Sequence, residues 1–288
     1  MATPVLPDLS GKPVRRIVSK ARSNASNNLL PANNELMPGL RGLAYGPKKL
    51  ELKLKLKPKN SIIIQGFPGF GFVATIAVEY LMDHLKMHSI GTMWSPRLAP
   101  IAFVHGKRII QPLEIFHNDK YNIIVLEAVT GVAGMEWEVT DALLQLYKKV
   151  NAKEIISIEG IGVPAEDSGP SAFYYTNQED KKKIFESADV ESIKEGIIFG
   201  VSGALMLKLS KDIKASFIFA GTHSNLPDSK AAAKIIQVLD KYLNLKVDYK
   251  PLLKRAAGFE ERLRGLVEKA REAGTIKKAK DQALPYIG

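Results

Sequence analysis

The sequence predicts an α/β protein with a mostly parallel sheet and helices on both faces. Three observations carry that prediction. Short, continuously apolar runs recur: "SIIIQ" at 61–65, "YNIIVLEA" at 121–128, "KEIISIEGIG" at 153–162 and "KASFIFAGT" at 214–222. Unbroken runs of this length mark strands buried on both faces, as parallel strands are. The first, second and fourth lead into segments with helical apolar spacing, and strand–helix alternation builds crossover units. Right-handed crossovers place every strand-to-helix loop at one sheet end. Those loops, 65–71, 127–136, 159–170 and 220–228, form the expected rim for any binding site.

The elements follow in order. Residues 1–50 carry eight basic side chains against Asp8 and Glu35, so over half of the net charge of +11 lies there. The same segment holds "SNASNNLLPANNELMPG", which lacks periodicity, and 1–49 reads as a disordered basic arm. "LELKLKLK" at 50–57 alternates apolar and charged, as an edge strand with one wet face does. After the "SIIIQ" strand, Val73, Ile76, Ala77, Tyr80 and Leu81 mark one face of a helix. "HSIGTMWSP" and "IAFVHGKRIIQPLEIFHN" read as strands, with His105-Gly106-Lys107 as a hairpin turn.

The second helix aligns Val139, Ala142, Leu143, Leu146, Tyr147 and Val150. "VPAEDSGPSAFYYTN" is a long polar loop leading to an aromatic strand, and "EGIIFGVSGALMLKL" is a strand or turn entering a helix. "THSNLPD" at 222–228 starts another helix, with Ser224 or Asn225 as the expected cap and Pro227 in the first turn. That helix turns Ala232, Ile235, Ile236, Leu239, Tyr242 and Leu243 inward. A last helix spans about 249–273. Its stripe of Leu252, Ala256, Phe259, Leu263, Leu266 and Ala270 is a coiled-coil seam, for its own sheet or for a second subunit. Residues 274–288 form a flexible tail. The domain expected to fold is therefore 50–273.

Composition narrows the function. With no cysteine, disulfides, thiolate zinc sites and cysteine nucleophiles are excluded, and a reducing cytoplasm is the expected compartment. No apolar run approaches the length of about 20 residues that spans a bilayer. The basic arm raises nucleic-acid contact, but it lacks the interleaved aromatics on which bases stack. A solubilising tail or an arm for an acidic partner explains it better.

"GFPGFGF" at 66–72 sits where a phosphate loop would. A mononucleotide loop needs Lys-Ser or Lys-Thr after its last glycine, and a dinucleotide loop needs G-x-G-x-x-G. Here Phe72 and Val73 follow Gly71, the glycines fall in the wrong order, and Pro68 removes a backbone donor. Gly66, Pro68, Gly69 and Gly71 therefore read as a tight packing corner. Glu127 and Glu159 end their strands and stand ready either for proton transfer or for holding loop N–H groups. "GVSGAL" misses the G-x-S-x-G nucleophile elbow by one residue. His84 and His88 lie four apart without the H-E-x-x-H pattern, so no metal, cofactor or catalytic residue is assigned.

"IIIQGFPGFGFVATIAVEYL", "IIVLEA", "AKEIISIEGIG", "IIFGVSGALML" and "KAAAKIIQVLDKYLNLKVDYKPLLKRAAGFEERLRGLVEKA" occur in the order typical of the proteasome assembly chaperone family, in its archaeal branch. The chain resembles that family over about residues 50–273. The resemblance implies an α/β/α sandwich similar to the nucleoside phosphorylase fold. It further implies a non-enzymatic chaperone that forms homo-oligomers and binds proteasome α-subunits. Some archaeal relatives end in a hydrophobic–tyrosine–any tail that docks between α-subunits. This chain ends "ALPYIG", with Tyr286 third from the end rather than second. Leu284, Tyr286, Ile287 and the Gly288 carboxylate are thus its candidate partner-binding tip, and Leu252, Phe259, Leu263 and Leu266 its candidate oligomer seam. Two alternatives remain: a phosphorylase-like or ligase enzyme using the rim loops, and a nucleic-acid-associated factor using the arm.

Overall fold

Why the chain layers as it does is visible in one strand. In β2 (Ile62–Gly66) both faces are apolar, so both must be covered. Ile64 packs into one hydrophobic core and Ile63 into a second, on the opposite side of the sheet. The structure, a computed structural model, describes residues 50–105, 108–163, 171–222 and 227–253.

The main sheet has nine strands. Its centre, β7 (Ile123–Ala128), β2, β8 (Glu154–Gly162) and β11 (Ala215–Thr222), is parallel throughout. On one side β6 (Leu113–Asn118), β3 (His88–Trp94) and the edge strand β1 (Glu51–Leu54) continue it antiparallel. On the other side β9 (Ala172–Thr176) runs antiparallel to β11, and β10 (Glu191–Ser192) parallel to β9. The expected parallel sheet is therefore confined to the core. No helix among the described residues separates β3 from β6, which are joined through β4 and β5, or β6 from β7, and links without a crossover helix pair strands antiparallel.

Helices cover both faces. α1 (Val73–Leu85), α3 (Glu179–Ser187) and α5 (Ser229–Leu243) share one core, and α2 (Glu136–Val150) and α4 (Gly200–Leu207) the other. This is the expected three-layer sandwich. β1 takes the edge, its lysine-bearing face exposed and Leu52 and Leu54 packed inward. β4 (Phe103–His105) and β5 (Arg108–Ile110) form a separate ribbon in which His105 pairs with Arg108, consistent with the expected hairpin. Pro112 follows β5, and the chain enters the main sheet as β6.

Ahead of α4, where a strand or turn is expected, residues 195–199 form no strand. One expectation changes. The cap of α5 is Asp228 rather than Ser224 or Asn225: its Oδ1 accepts from the N–H groups of Lys230 (3.1 Å) and Ala231 (3.0 Å). Pro227 thus precedes the helix. The arm 1–49, the tail 274–288 and the seam residues Phe259, Leu263 and Leu266 lie outside the described residues. Leu252 is described, and it is buried in the α1/α5 core of its own chain.

Beneath α3 and α5, Phe185 is sandwiched between Tyr174 (4.6 Å between centroids) and Tyr242 (4.7 Å). The Tyr242 hydroxyl donates to the buried carboxylate of Glu154, which also accepts from Gln178 Nε2 (2.8 Å) and Ser216 Oγ (2.5 Å). Burial raises the Glu154 pKa despite these donors, and burial beside Glu154 raises that of the tyrosine. Phe185→Ala should cost about 3–5 kcal/mol in urea unfolding, since a fully enclosed ring leaves a cavity that cannot collapse. A loss below about 1 kcal/mol would show the stack to be loosely packed.

Candidate functional site

The corner at 67–72 folds over the ends of β8 and β11. Phe70–Phe72 forms a short 3₁₀ turn, with Gly71 (φ 60°) and Phe72 (φ 48°) both left-handed. The space at Gly71 is closed as well, since a Cβ there would lie 2.7 Å from Thr222 Oγ1. Gly160 in β8 lies directly under the Phe70 carbonyl oxygen, which a Cβ would strike. Gly66 is crowded by Ala74, Val78 and Ile158. Gly69 differs: its φ of −152° suits any residue and its surroundings leave room for a side chain. Of the four corner residues, Gly66 and Gly71 are thus the constrained glycines, and Gly160 belongs with them.

This geometry does not suit a phosphate. The Phe72 N–H is spent on the Gly69 carbonyl (3.1 Å), and the Asp228 N–H on that of Gly71 (2.8 Å). Asp228 also brings its carboxylate to the corner, where Oδ2 accepts from Thr222 (2.9 Å). A fixed negative charge there opposes an anion.

The rim carboxylates do not form a pair. Glu127 lies level with Gly66 and, across β2, with Ile158. Glu159 is one residue further along β8, and in strands one residue means the opposite face. Glu127 accordingly lies on the α1/α5 side, level with Glu114 of β6, and Glu159 on the α2/α4 side. Shared proton transfer between them is excluded by the sheet itself.

Glu159 instead ends a buried polar line. Gln65 Nε2 donates to Ser157 Oγ, Ser157 and Ser202 hydroxyls meet at 2.9 Å, and Ser202 hydrogen-bonds the Glu159 carboxylate. Burial pushes the Glu159 pKa from 4.5 up to about 7, only partly offset by Ser202. Its Oε2 has no hydrogen-bond partner among the described residues. The carboxyl stands between two hollows. One of about 180 Å³ is walled by Phe67, Pro68, Val132 and Glu136. The other, about 740 Å³, is enclosed by Phe70, Phe173 and the strap 191–199. Among the described residues no histidine lines either. The arrangement can hold or release one proton near neutrality and bind a group offering a hydrogen bond. Among the described residues it does not pair a serine with a histidine base.

Sequence reasoning passed over Gln65 and Ser157 and dismissed Ser202. Their signal was present: single polar residues at matched register within otherwise apolar strands, "IIIQG" and "IISIEG". Exposed apolar side chains surround the larger hollow, with Ile197 80%, Phe199 68% and Phe70 46% exposed.

The PAC2 family profile matches residues 63–267, which include the corner, the polar line and both hollows. The chain belongs to the PAC2 family. Among solved structures it is similar to PbaA of Pyrococcus furiosus, an archaeal homologue of proteasome-assembly chaperone, with TM-score 0.71 and 33% identity over 78% of this chain and 99% of that one. PbaB of the same organism, described as an archaeal proteasome activator, shares the fold at TM-score 0.64, with 24% identity over 76% and 99% of the two chains. An uncharacterised protein of Methanocaldococcus jannaschii is 24% identical over 217 residues, 75% of this chain and 89% of its own. The expected family and sandwich are therefore both found.

Two outcomes follow from this PAC2 rim. Gly71→Val and Gly160→Val should each lower stability by about 1–3 kcal/mol or more through strain and overpacking, while Gly69→Ala stays within about 0.5 kcal/mol. Equal melting temperatures for all three would show a loose corner. Between pH 4.5 and 7 the folded chain keeps a proton on Glu159 that the unfolded chain has released, so stability falls as pH rises through that window. Replacing the carboxyl by Glu159→Gln should remove up to about 3 kcal/mol of that fall. Identical pH–stability curves for the two proteins would place the carboxyl in water.

Proposed function

We propose that this PAC2 protein is a non-enzymatic, proteasome-assembly-chaperone-like factor that self-associates and binds proteasome α-subunits or a related protein partner. The observation that carries the reading is the likeness to PbaA, which runs through nearly the whole of that chain at 33% identity. The rim supports it in kind. Its described loops offer apolar side chains to solvent, at Phe70, Ile197 and Phe199. Contiguous exposed apolar surface is characteristic of protein contacts. A second such surface is the β4–β5 ribbon, where Val104 (75% exposed) pairs with Ile109 (63% exposed). The tail tip, Leu284 to Gly288, is proposed as a further contact, carried on a lysine-rich spacer that lets a chain end reach a separate pocket.

Light scattering at micromolar concentration should report an oligomer; a clean monomer of 31.7 kDa would end the self-association reading. Immobilised chain should capture purified proteasome α-subunits. Deleting 284–288 should leave folding and oligomer size intact and weaken capture at least tenfold. Ile197→Asp should weaken capture or association without changing the melting temperature, because Ile197 is exposed. Full capture by both variants would move the contact off rim and tail alike. Failure of the parent chain to capture α-subunits would overturn the partner assignment.

A further inference from the structure

Far from the rim, register brings together three groups that no local spacing connects. His88 opens β3, His117 lies near the end of β6, and the two are direct cross-strand partners. Asp119 follows in the turn to β7. Its Oδ1 lies 3.2 Å from His117 Nδ1 and its Oδ2 3.8 Å from His88 Nδ1, and the ligand atoms of all three residues lie within 4.8 Å of one another.

Which nitrogen of neutral His117 carries its hydrogen is set from behind. Asn122 donates through Nδ2 to the Lys59 carbonyl (2.8 Å), while its Oδ1 accepts from Ser61 Oγ (2.7 Å). The amide oxygen therefore faces His117 Nε2, at 3.1 Å, and an acceptor there requires Nε2 to carry the hydrogen. In neutral His117 the bare lone pair is then on Nδ1, pointed at a carboxylate oxygen. His88 aims its own Nδ1 at the other oxygen of the same carboxylate, so three donor atoms from three residues face one small space. One divalent cation there would accept a lone pair from each of them.

We propose that His88, His117 and Asp119 form a site for a divalent transition-metal ion of the zinc class. Two imidazoles and one carboxylate suit such an ion. Ligand atoms bonded at about 2.0–2.1 Å in a tetrahedral site lie roughly 3.3 Å apart, close to the His117–Asp119 separation. Asn122 plays the outer role, orienting the buried imidazole through its second nitrogen. His88 and Asp119 are solvent-exposed, so the ion enters from outside and a fourth position stays open to water. Lys120, the nearest cation in sequence, is turned onto the Tyr121 ring at 4.9 Å. Bound there, the ion ties the start of β3 to the β6–β7 turn.

Untagged full-length protein, stripped with chelator, is titrated with Co²⁺ and with Zn²⁺. The expected result is one ion per chain, a visible Co²⁺ absorption band of a low-coordinate site that Zn²⁺ abolishes, and a rise in melting temperature reversed by chelator. His88→Ala and Asp119→Asn, both at exposed positions, should each weaken binding at least tenfold and lose the band, whereas His84→Ala should keep both. Absence of the band in the parent chain, or its survival unchanged in the His88 and Asp119 variants, overturns the proposal. The His117 variant is not relied upon, because removing a buried ring can unfold the turn by itself.

Discussion

At the end of β8 a backbone carbonyl, that of Phe70, rests on the one residue of the strand that lacks a side chain at the point of contact, Gly160. Much of the rim depends on that approach. It lets the 67–72 corner lie flat across the sheet end, which brings Gly71 against Thr222 of β11 and delivers the chain into α1 with Val73 already buried. It also sets Phe70 as a wall of the larger hollow. A side chain at Gly160 would lift the corner, and with it both the floor of the hollow and the start of α1. Phe72 adopts a left-handed conformation, unfavourable for an aromatic residue, and the packing of the same corner holds it there.

The sheet's two-residue period then decides what the rim can do. Because parallel strands are covered on both faces, each polar residue in them must find partners on its own side. Gln65, Ser157 and Glu159 share the α2/α4 side and link through Ser202; Glu127 and Glu114 share the other. Two carboxylates that look equivalent in sequence are thereby given separate environments. The same logic operates at the opposite end of β8, where three donors converge on Glu154. Burial there disfavours the charged form of the carboxylate more than those hydrogen bonds favour it.

Layer order, the edge position of β1 and the inward faces of α1, α2 and α5 were legible because they rest on hydrophobic period alone. Val139, Leu143 and Leu146, or Ile235 and Leu239, admit few other placements. The antiparallel flanks were harder to read, since β3 and β6 carry the same residue types as the parallel strands and differ in their connections. The cap at Asp228 was missed because Ser224 and Asn225 are equally good cap residues and only the helix start selects among them. Gly69 was overvalued and Gly160 overlooked for one reason: glycine spacing within a loop says nothing about which backbone crosses above a neighbouring strand. The rim pair and the His88–His117–Asp119 group were illegible on the same ground, because register brings distant residues together or holds them apart.

The described part of the rim is more apolar than catalytic sites generally are. Catalysis needs groups that stabilise a transition state more than the bound ground state, so nucleophile, base and charge stabiliser must converge on one point. Beside Glu159, which holds its proton to about pH 7, the described residues place Ser202 bonded to Ser157, in hollows whose walls include Phe67, Phe70, Phe173, Ile197 and the acidic Glu136. What the rim does provide is apolar area left in water, at Phe70, Ile197 and Phe199. Apolar area in water is a standing cost that a protein partner removes when it covers the patch. That exposed patch, rather than a phosphate cradle, is where the proposed protein contact rests.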